Sequence, residues 1–226
     1  RGQIRIEGGP SGTTIERFNG LDRFTHWLTA SAFVVLALTG LNITFGRYLL
    51  LPILGPEAFT TLSLAFKYAH NFAAFPFMLG VAMMFVLWVQ HNIPDSYDAK
   101  WIMMGGGLFK RGVHPPARMF NAGQKFVFWS VVLGGGVIAV SGVYLLFPFM
   151  LNGDIHTLQL MAILHSIFAL ILTAIAIAHI YIGSIGMEGA FAAMGTGQVD
   201  ERWAREHHPI WVAELKGEPL PKLGGD

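Results

Sequence analysis

The chain of 226 residues is 53% hydrophobic and only 13% charged, with a mean hydropathy of +0.51. Soluble domains carry about 25% charged residues, so this composition excludes an ordinary soluble enzyme. The net charge of +1 gives no signal for nucleic-acid binding. The lack of cysteine in this sequence excludes disulfides, protein-ligated iron–sulfur clusters and covalent haem of the CxxCH type.

Four apolar runs follow one another along the chain, each near the roughly 20 residues that a helix needs to cross a bilayer. We predict helices over about 27–45, 68–89, 126–149 and 160–185, a loop over 90–125 and a polar tail over 186–226. None of the four runs contains Asp, Glu, Lys or Arg, and none alternates in polarity as a membrane β-strand does. The sequence therefore predicts an all-α membrane protein, a four-transmembrane-helix bundle forming one domain over residues 1–226.

The distribution of basic residues predicts how this bundle lies in the membrane. Thirteen Lys and Arg residues fall in the N-terminal segment, the second connection and the tail, whereas the first connection has only Arg47 and Lys67. Loops rich in Lys and Arg stay in the cytoplasm. We therefore expect a multi-pass membrane protein with both termini in the cytoplasm.

Four histidines lie at informative depths in the predicted helices. His165 and His179 are 14 positions apart, which places them on one helix face about 21 Å apart along the axis. Because consecutive helices alternate in direction, His26 shares the cytoplasmic half with His179, and His70 shares the outer half with His165. Two imidazoles from facing helices are what a bis-histidine b-type haem requires. The pattern therefore predicts two b haems with these four side chains as axial iron ligands.

Other interpretations of the histidines stay open at this point. A single histidine in a membrane helix often forms an interhelical hydrogen bond instead of binding a metal. His91, at the exit of the second helix, is a rival to His26 as a ligand. Surface or interface positions are expected for the histidines of the loops and the tail, which are His114, His156, His207 and His208.

Longer motifs surround these histidines: DRFTHW from Asp22, HNIPD from His91, NAGQK from Asn121, and RWA followed by HHPIW from Arg202. Together and in this order they resemble the cytochrome b (gamma) subunit of the membrane-bound respiratory formate dehydrogenases of bacteria. The resemblance covers most of the chain. It implies the same haem pairs that the depth argument gives, His26 with His179 for the inner haem and His70 with His165 for the outer haem.

The resemblance also implies partners. A catalytic subunit with a molybdenum or tungsten pterin would oxidise formate, and an iron–sulfur subunit with a membrane anchor helix would carry the electrons to this chain. The chain would then pass them to a quinone, menaquinone or ubiquinone, at the cytoplasmic side. Formate oxidation would belong to another subunit, and the whole would assemble as an oligomer of heterotrimers in contact with lipid.

A quinone pocket is implied by the resemblance alone, at Asn121, Gly123 and Gln124. A quinone needs hydrogen-bond partners for its carbonyl oxygens, and an amide side chain or a close backbone can supply them. The alternative is that these residues form a helix N-terminus, with Asn121 as the N-cap and the other two in the first turn.

Two other functions fit the pattern. The chain could be the cytochrome b subunit of another quinone-linked enzyme, such as a hydrogenase or a thiosulfate or polysulfide reductase, which shares the bundle and the haems. In a different class, it could be a haem-free membrane transporter or anchor. Transporters commonly have acidic residues or broken helices at the middle of the membrane, and the four runs contain no carboxylate.

Overall fold

The computed structural model describes residues 2–107, 113–151 and 153–221. The described residues divide into two compact units, which we treat separately. The helix unit comprises Phe24–Val86 and Ser130–Ile175, and the terminal unit comprises Arg1–Arg23, Leu87–Trp129 and Ala176–Asp226. Residue 1, part of the predicted loop (108–112), residue 152 and the end of the predicted tail (222–226) lie outside the described residues. The expectation of a single domain stays a prediction.

Among the described residues, four helical segments are long and apolar enough to span a membrane, as the sequence predicts. The first is helix α1, Gly20–Leu49, and the second is helix α2, Leu51–Trp88, followed by a 3₁₀ turn at Val89–Asn92. The third consists of α4 (Ala122–Trp129), a π-helical turn (Ser130–Gly134) and α5 (Gly135–Leu146). The fourth consists of α6 (Ile155–Tyr181) and a π-helical turn (Ile182–Gly186). In the predicted loop, helix α3 covers Ser96–Met103 and a 3₁₀ turn covers Gly105–Gly107.

The first connection differs from the prediction. We expected a loop between residues 45 and 68, but α1 continues to Leu49 and α2 begins at Leu51. Gly55, with a φ of 76°, interrupts α2, and Pro56 follows it. Proline suits the first turn of a helix because backbone N–H groups there have no acceptor within the helix, so the N–H that proline lacks is not needed. The helices therefore run beyond the apolar stretches that identified them, through a segment that is itself mostly apolar and contains only three charged residues, Arg47, Glu57 and Lys67.

Several helices begin with reciprocal hydrogen bonds between a side chain and the backbone. Asn19 caps α1, since its Oδ1 accepts from the N–H of Asp22 at 3.0 Å while Asp22 Oδ2 accepts from the N–H of Asn19 at 3.1 Å. Asp95 and Asp98 make the same capping box at the start of α3. These bonds satisfy N–H groups that the first turn of a helix leaves without partners.

Small residues set the helix contacts in the helix unit. A Cβ atom on Gly80 of α2 would lie within 3.2 Å of the backbone and side chain of Thr29 on α1, so only glycine fits there. Gly134 similarly faces Leu172 of α6 at 3.2 Å. Close approach at small residues is the usual way in which helices pack inside a membrane.

The outward faces of the four spans are apolar. In their most apolar windows only 6% to 28% of the residues are buried, and large side chains such as Leu38, Val86 and Ile177 are more than 60% exposed. So much exposed apolar surface would be unfavourable in water, and it indicates lipid contact. The chain is a multi-pass membrane protein.

The terminal unit joins the two ends of the chain. Strand β1 (Thr14–Glu16) pairs antiparallel with strand β2 (Gln198–Asp200), which follows the short helix α7 (Ala192–Gly195). Helices α8 (Glu201–His207) and α9 (Pro209–Lys216) complete the tail. This two-stranded ribbon is absent from the all-α prediction, because each strand has only three residues and neither shows an alternating pattern of its own.

A buried lysine connects two of the motifs that carry the resemblance. Lys125, from NAGQK, is only 4% exposed, and its Nζ lies 2.7 Å from Asp98 Oδ2 and 3.2 Å from Asp95 Oδ2. It also donates to the backbone carbonyl of Ile93 at 3.1 Å. A buried ammonium group is tolerated only with such partners. HNIPD and NAGQK are therefore partly a structural unit, in which Lys125 supplies the charge and Ile93 and Asp95, together with Asp98 of the following helix, supply the acceptors.

A buried arginine organises the tail. Arg17 is 4% exposed, and its guanidinium carbon lies 5.2 Å from the centroid of Trp203 and 5.3 Å from that of Trp211. Its Nη2 donates to the carbonyl of Met119 at 2.5 Å. Burial lowers the pKa of Arg17 to about 9, so the group stays charged near neutrality and the aromatic faces stabilise it.

The prediction that His208 is a surface or interface residue was wrong. His208 is 1% exposed, and its Nδ1 donates to the carbonyl of Arg118 at 2.7 Å. His207 is half-buried, with its ring centroid 5.2 Å from that of Trp203. The tail folds onto this chain's own segment 117–119 because Trp203, Trp211 and Arg17 together form a small core. The mixed polarity of the tail sequence gives no sign of this core.

This packing predicts that the terminal unit loses stability in mild acid. Burial lowers the pKa of His207 to about 4, and it lowers the pKa of His208 well below its usual range. Both side chains take up a proton more readily when unfolded, so their contribution is complete above about pH 6.5 and falls as the pH decreases toward 4. Each contributes a slope of up to about 1.4 kcal/mol per pH unit within that window.

The measurement is thermal unfolding of the purified protein in detergent between pH 7 and pH 5, compared with the His207→Gln variant. The variant should show a weaker pH dependence than the unchanged chain, whereas His156→Gln, at an exposed position, should show the same dependence. An equal slope in all three proteins would contradict the assignment of the acid sensitivity to His207.

Candidate functional site

Two histidines from different helices face each other within the helix unit. The ring centroids of His70 on α2 and His165 on α6 are 6.2 Å apart, with ring planes inclined at 63°. Both side chains are half-buried. The structure thus brings together the two residues that the sequence predicts for the outer pair.

Hydrogen bonds fix the tautomer of both rings. His70 Nδ1 lies 2.9 Å from Thr39 Oγ1, and that hydroxyl donates its own proton to the carbonyl of Val35 at 2.6 Å. His165 Nδ1 lies 3.1 Å from both Ser141 Oγ and the carbonyl oxygen of Ile138. A carbonyl oxygen can only accept, and a hydroxyl whose proton is given to the backbone also accepts, so the proton is assigned to Nδ1 in each ring. Each Nε2 then carries the lone pair that binds a metal.

A glycine next to each hydroxyl makes room for the imidazole. A Cβ atom on Gly40 would lie 3.2 Å from Cε1 of His70, and a Cβ atom on Gly142 would lie 3.2 Å from Cε1 of His165. Each glycine therefore lets a ring from the neighbouring helix approach the backbone. Sequence reasoning missed these residues, although the sequence contains a signal for them. The signal is a Thr-Gly pair in the first span and a Ser-Gly pair in the third, at equivalent places.

The separation of the rings fits a bis-histidine haem. A metal–imidazole bond is about 2.0 Å long and the ligand nitrogen lies about 1.2 Å from the ring centre, so two axial imidazoles have centroids roughly 6.4 Å apart. The observed 6.2 Å agrees with this value. The other ring nitrogen of a metal-bound histidine usually donates to a carbonyl or another acceptor, as both do here.

The inner pair is distributed over the two units. His26 lies on α1 in the helix unit, half-buried, with its ring centroid 5.1 Å from that of Trp27 in an edge-to-face arrangement. His179 lies on α6 in the terminal unit and is exposed. The rival ligand His91 is exposed in the 3₁₀ turn that ends the second span. The pairing of His26 with His179 stays a prediction.

The residues predicted for the quinone pocket have local structural roles. Asn121 Oδ1 accepts from the N–H of Gln124 at 2.9 Å, and Gln124 Oε1 accepts from the N–H of Asn121 at 3.0 Å. This is a capping box at the start of α4, the alternative considered for these residues. A Cβ atom on Gly123 would lie 3.0 Å from the Trp101 ring, so the glycine admits that ring. The quinone assignment stays a prediction.

Comparison with known proteins shows the family to which the chain belongs. Residues 17–197 match the family described as prokaryotic cytochrome b561. The chain belongs to this family. Its members are cytochromes b, so the family implies a b-type haem. The separation and the hydrogen bonds of His70 and His165 fit such a haem.

Within this family, the chain is similar to cytochrome b subunits of formate dehydrogenases. The chain is 29% identical over 205 residues to the cytochrome b556(Fdn) subunit of the nitrate-inducible formate dehydrogenase of Escherichia coli K12, covering 89% of this chain and 92% of that protein. It is also 29% identical to the cytochrome b556(fdo) subunit of the same organism, with 90% and 94% covered. The formate dehydrogenase cytochrome b556 subunit of Haemophilus influenzae is 29% identical over 217 residues, with 95% and 87% covered. The resemblance inferred from the motifs is confirmed.

The two glycines allow a direct test of the outer site. Gly40→Ala and Gly142→Ala should each reduce the haem content of the purified protein, because the added methyl group pushes His70 or His165 away from its position. Gly136→Ala is the matched control, since a Cβ atom there meets nothing within 4 Å and alanine favours a helix. The pyridine haemochrome assay gives the haem content, and an unchanged content in both Gly40→Ala and Gly142→Ala would show that the glycines do not position the ligands.

Proposed function

We propose that this chain is the dihaem cytochrome b subunit of a respiratory formate dehydrogenase complex, in which it passes electrons from an iron–sulfur subunit across the membrane to a quinone. The observation that carries the proposal is the opposed pair of His70 and His165, held at 6.2 Å with both Nδ1 atoms engaged. The names of the relatives supply the type of complex.

His70 and His165 would hold one haem, and His26 and His179 the other. When bound, a b-type haem takes up and releases one electron at its iron. The chain's own part is to present neutral Nε2 atoms, to keep them in place through Thr39 and Ser141, and to exclude water with apolar helices. A low dielectric favours the less charged, reduced state, so burial is one means by which the protein sets the potential.

The names of the relatives give them as subunits of formate dehydrogenases. The proposed complex adds the partners that the resemblance implies, an iron–sulfur subunit and a molybdenum or tungsten pterin subunit. The excess of basic residues in the N-terminal segment, the second connection and the tail supports cytoplasmic termini in the bacterial inner membrane. A hydrogenase or a thiosulfate or polysulfide reductase subunit would use the same bundle, and the identity of the large subunit that copurifies with this chain separates these functions. A haem-free transporter would copurify with no haem.

Single-histidine variants test the haem assignment. His70→Ala and His165→Ala should each lose the same one of two b haems, because either ligand alone cannot hold the iron on both faces. His179→Ala should lose the other haem and stop quinone reduction, while formate still reduces the outer haem. His156→Ala, at an exposed position on α6, should retain the full haem content and is the matched control. Full content in His70→Ala or His165→Ala would overturn the proposal.

Two variants of Asn121 separate its roles. Asn121→Ala removes the cap and should cost about 1 kcal/mol of stability, whereas Asn121→Asp keeps the acceptor for the Gln124 N–H and replaces the amide N–H donors by a carboxylate. If an amide donor of Asn121 binds a quinone oxygen, both variants reduce quinone more slowly with unchanged haem spectra. Normal quinone kinetics in Asn121→Asp would leave Asn121 with its capping role alone.

A further inference from the structure

Two buried hydroxyl groups make a contact with an imidazole that helix packing does not explain. Thr39 on α1 is 4% exposed and Ser141 on α5 is 1% exposed. Many hydroxyls in these spans only donate to the carbonyl four residues earlier, as Thr173 does to Ala169 at 2.8 Å. Thr39 and Ser141 make that bond too, to Val35 at 2.6 Å and Val137 at 2.7 Å, and each also lies within hydrogen-bond distance of an imidazole Nδ1.

The direction of these hydrogen bonds follows from the donors available. Each hydroxyl has one proton, which goes to the backbone carbonyl of its own helix. Its oxygen is then an acceptor, and Nδ1–H of the facing histidine is the donor. A hydroxyl that is itself donating is a stronger acceptor, because hydrogen bonds in a chain polarise one another. His70 and His165 are thus each held by a hydroxyl of another helix, and His165 has the carbonyl of Ile138 as a second acceptor.

We propose that Thr39 and Ser141 are positioning residues that raise the donor strength of His70 and His165 toward the haem iron and thereby lower the potential of that one haem. The proposal rests on the proposed function, since it requires the haem. An acceptor on Nδ1–H increases the negative charge on the imidazole and makes Nε2 a stronger ligand. A stronger donor stabilises the ferric state more than the ferrous state, so removal of the acceptor should raise the midpoint potential.

The test is a redox titration of the purified complex, monitored by the absorption of the b haems. Thr39→Val keeps the volume and shape of the side chain and removes the hydroxyl, and Ser141→Ala removes it from the other ligand. Each variant should shift one haem to a more positive midpoint potential, and it should be the same haem in both. The double variant should shift it further, because the two hydroxyls act on different ligands of one iron.

Matched variants show whether the hydroxyl itself matters. Thr39→Ser and Ser141→Thr keep a hydroxyl and should leave the potential where it is in the unchanged protein. Thr173→Val removes a hydroxyl from α6 that donates only to a backbone carbonyl, and it should also leave both potentials unchanged. If Thr39→Val loses the outer haem, retention of that haem by Thr39→Ser supports the proposal, and loss in both variants overturns it.

The outcomes distinguish this inference from the proposed function. Absence of b haem in the unchanged protein overturns the function and the inference together. Two b haems with unchanged potentials in Thr39→Val and Ser141→Ala overturn only the inference. A shift of different haems in the two variants would show that His70 and His165 do not bind the same iron, which overturns the inference and the predicted pairing.

Discussion

The hydrogen bonds on the far side of each imidazole determine what the outer histidines can do. A histidine in an apolar helix can rotate and can carry its proton on either nitrogen, so its position in the sequence alone does not make it a ligand. Carbonyl and hydroxyl acceptors from the neighbouring helix fix both choices for His70 and His165. The adjacent glycines, Gly40 and Gly142, let the rings approach closely, since a Cβ atom at either position would lie only 3.2 Å from the imidazole.

The terminal unit shows that a motif can identify a family and still be mainly structural. Lys125 is bound to Ile93 and Asp95 of HNIPD and to Asp98 beyond it, and Arg17 contacts the rings of Trp203 and Trp211 in the tail. Residues with buried charges tolerate few replacements, because loss of one partner leaves the other buried and unpaired. Charge pairing and packing are therefore enough to give such clusters a recognisable pattern.

The sequence predicted the four spans and the histidines because hydropathy and helical periodicity are properties of single segments. It missed Thr39-Gly40 and Ser141-Gly142, because small residues in a membrane helix usually indicate packing alone. It also missed the position of His208, whose partner Arg118 is 90 residues away and is brought near only by the fold of the tail. The capping box of Asn121 and Gln124 was foreseen as an alternative, since its bonds are local.

The central claim is that this chain carries b-type haem on pairs of histidines from facing helices. The most direct measurement is a pyridine haemochrome assay of the purified chain or complex, together with a dithionite-reduced-minus-oxidised spectrum. Our account predicts two b haems per chain, with the absorption bands of low-spin iron bound by two imidazoles. A well-folded sample without haem would contradict it and would return His70 and His165 to a role in hydrogen bonding between helices.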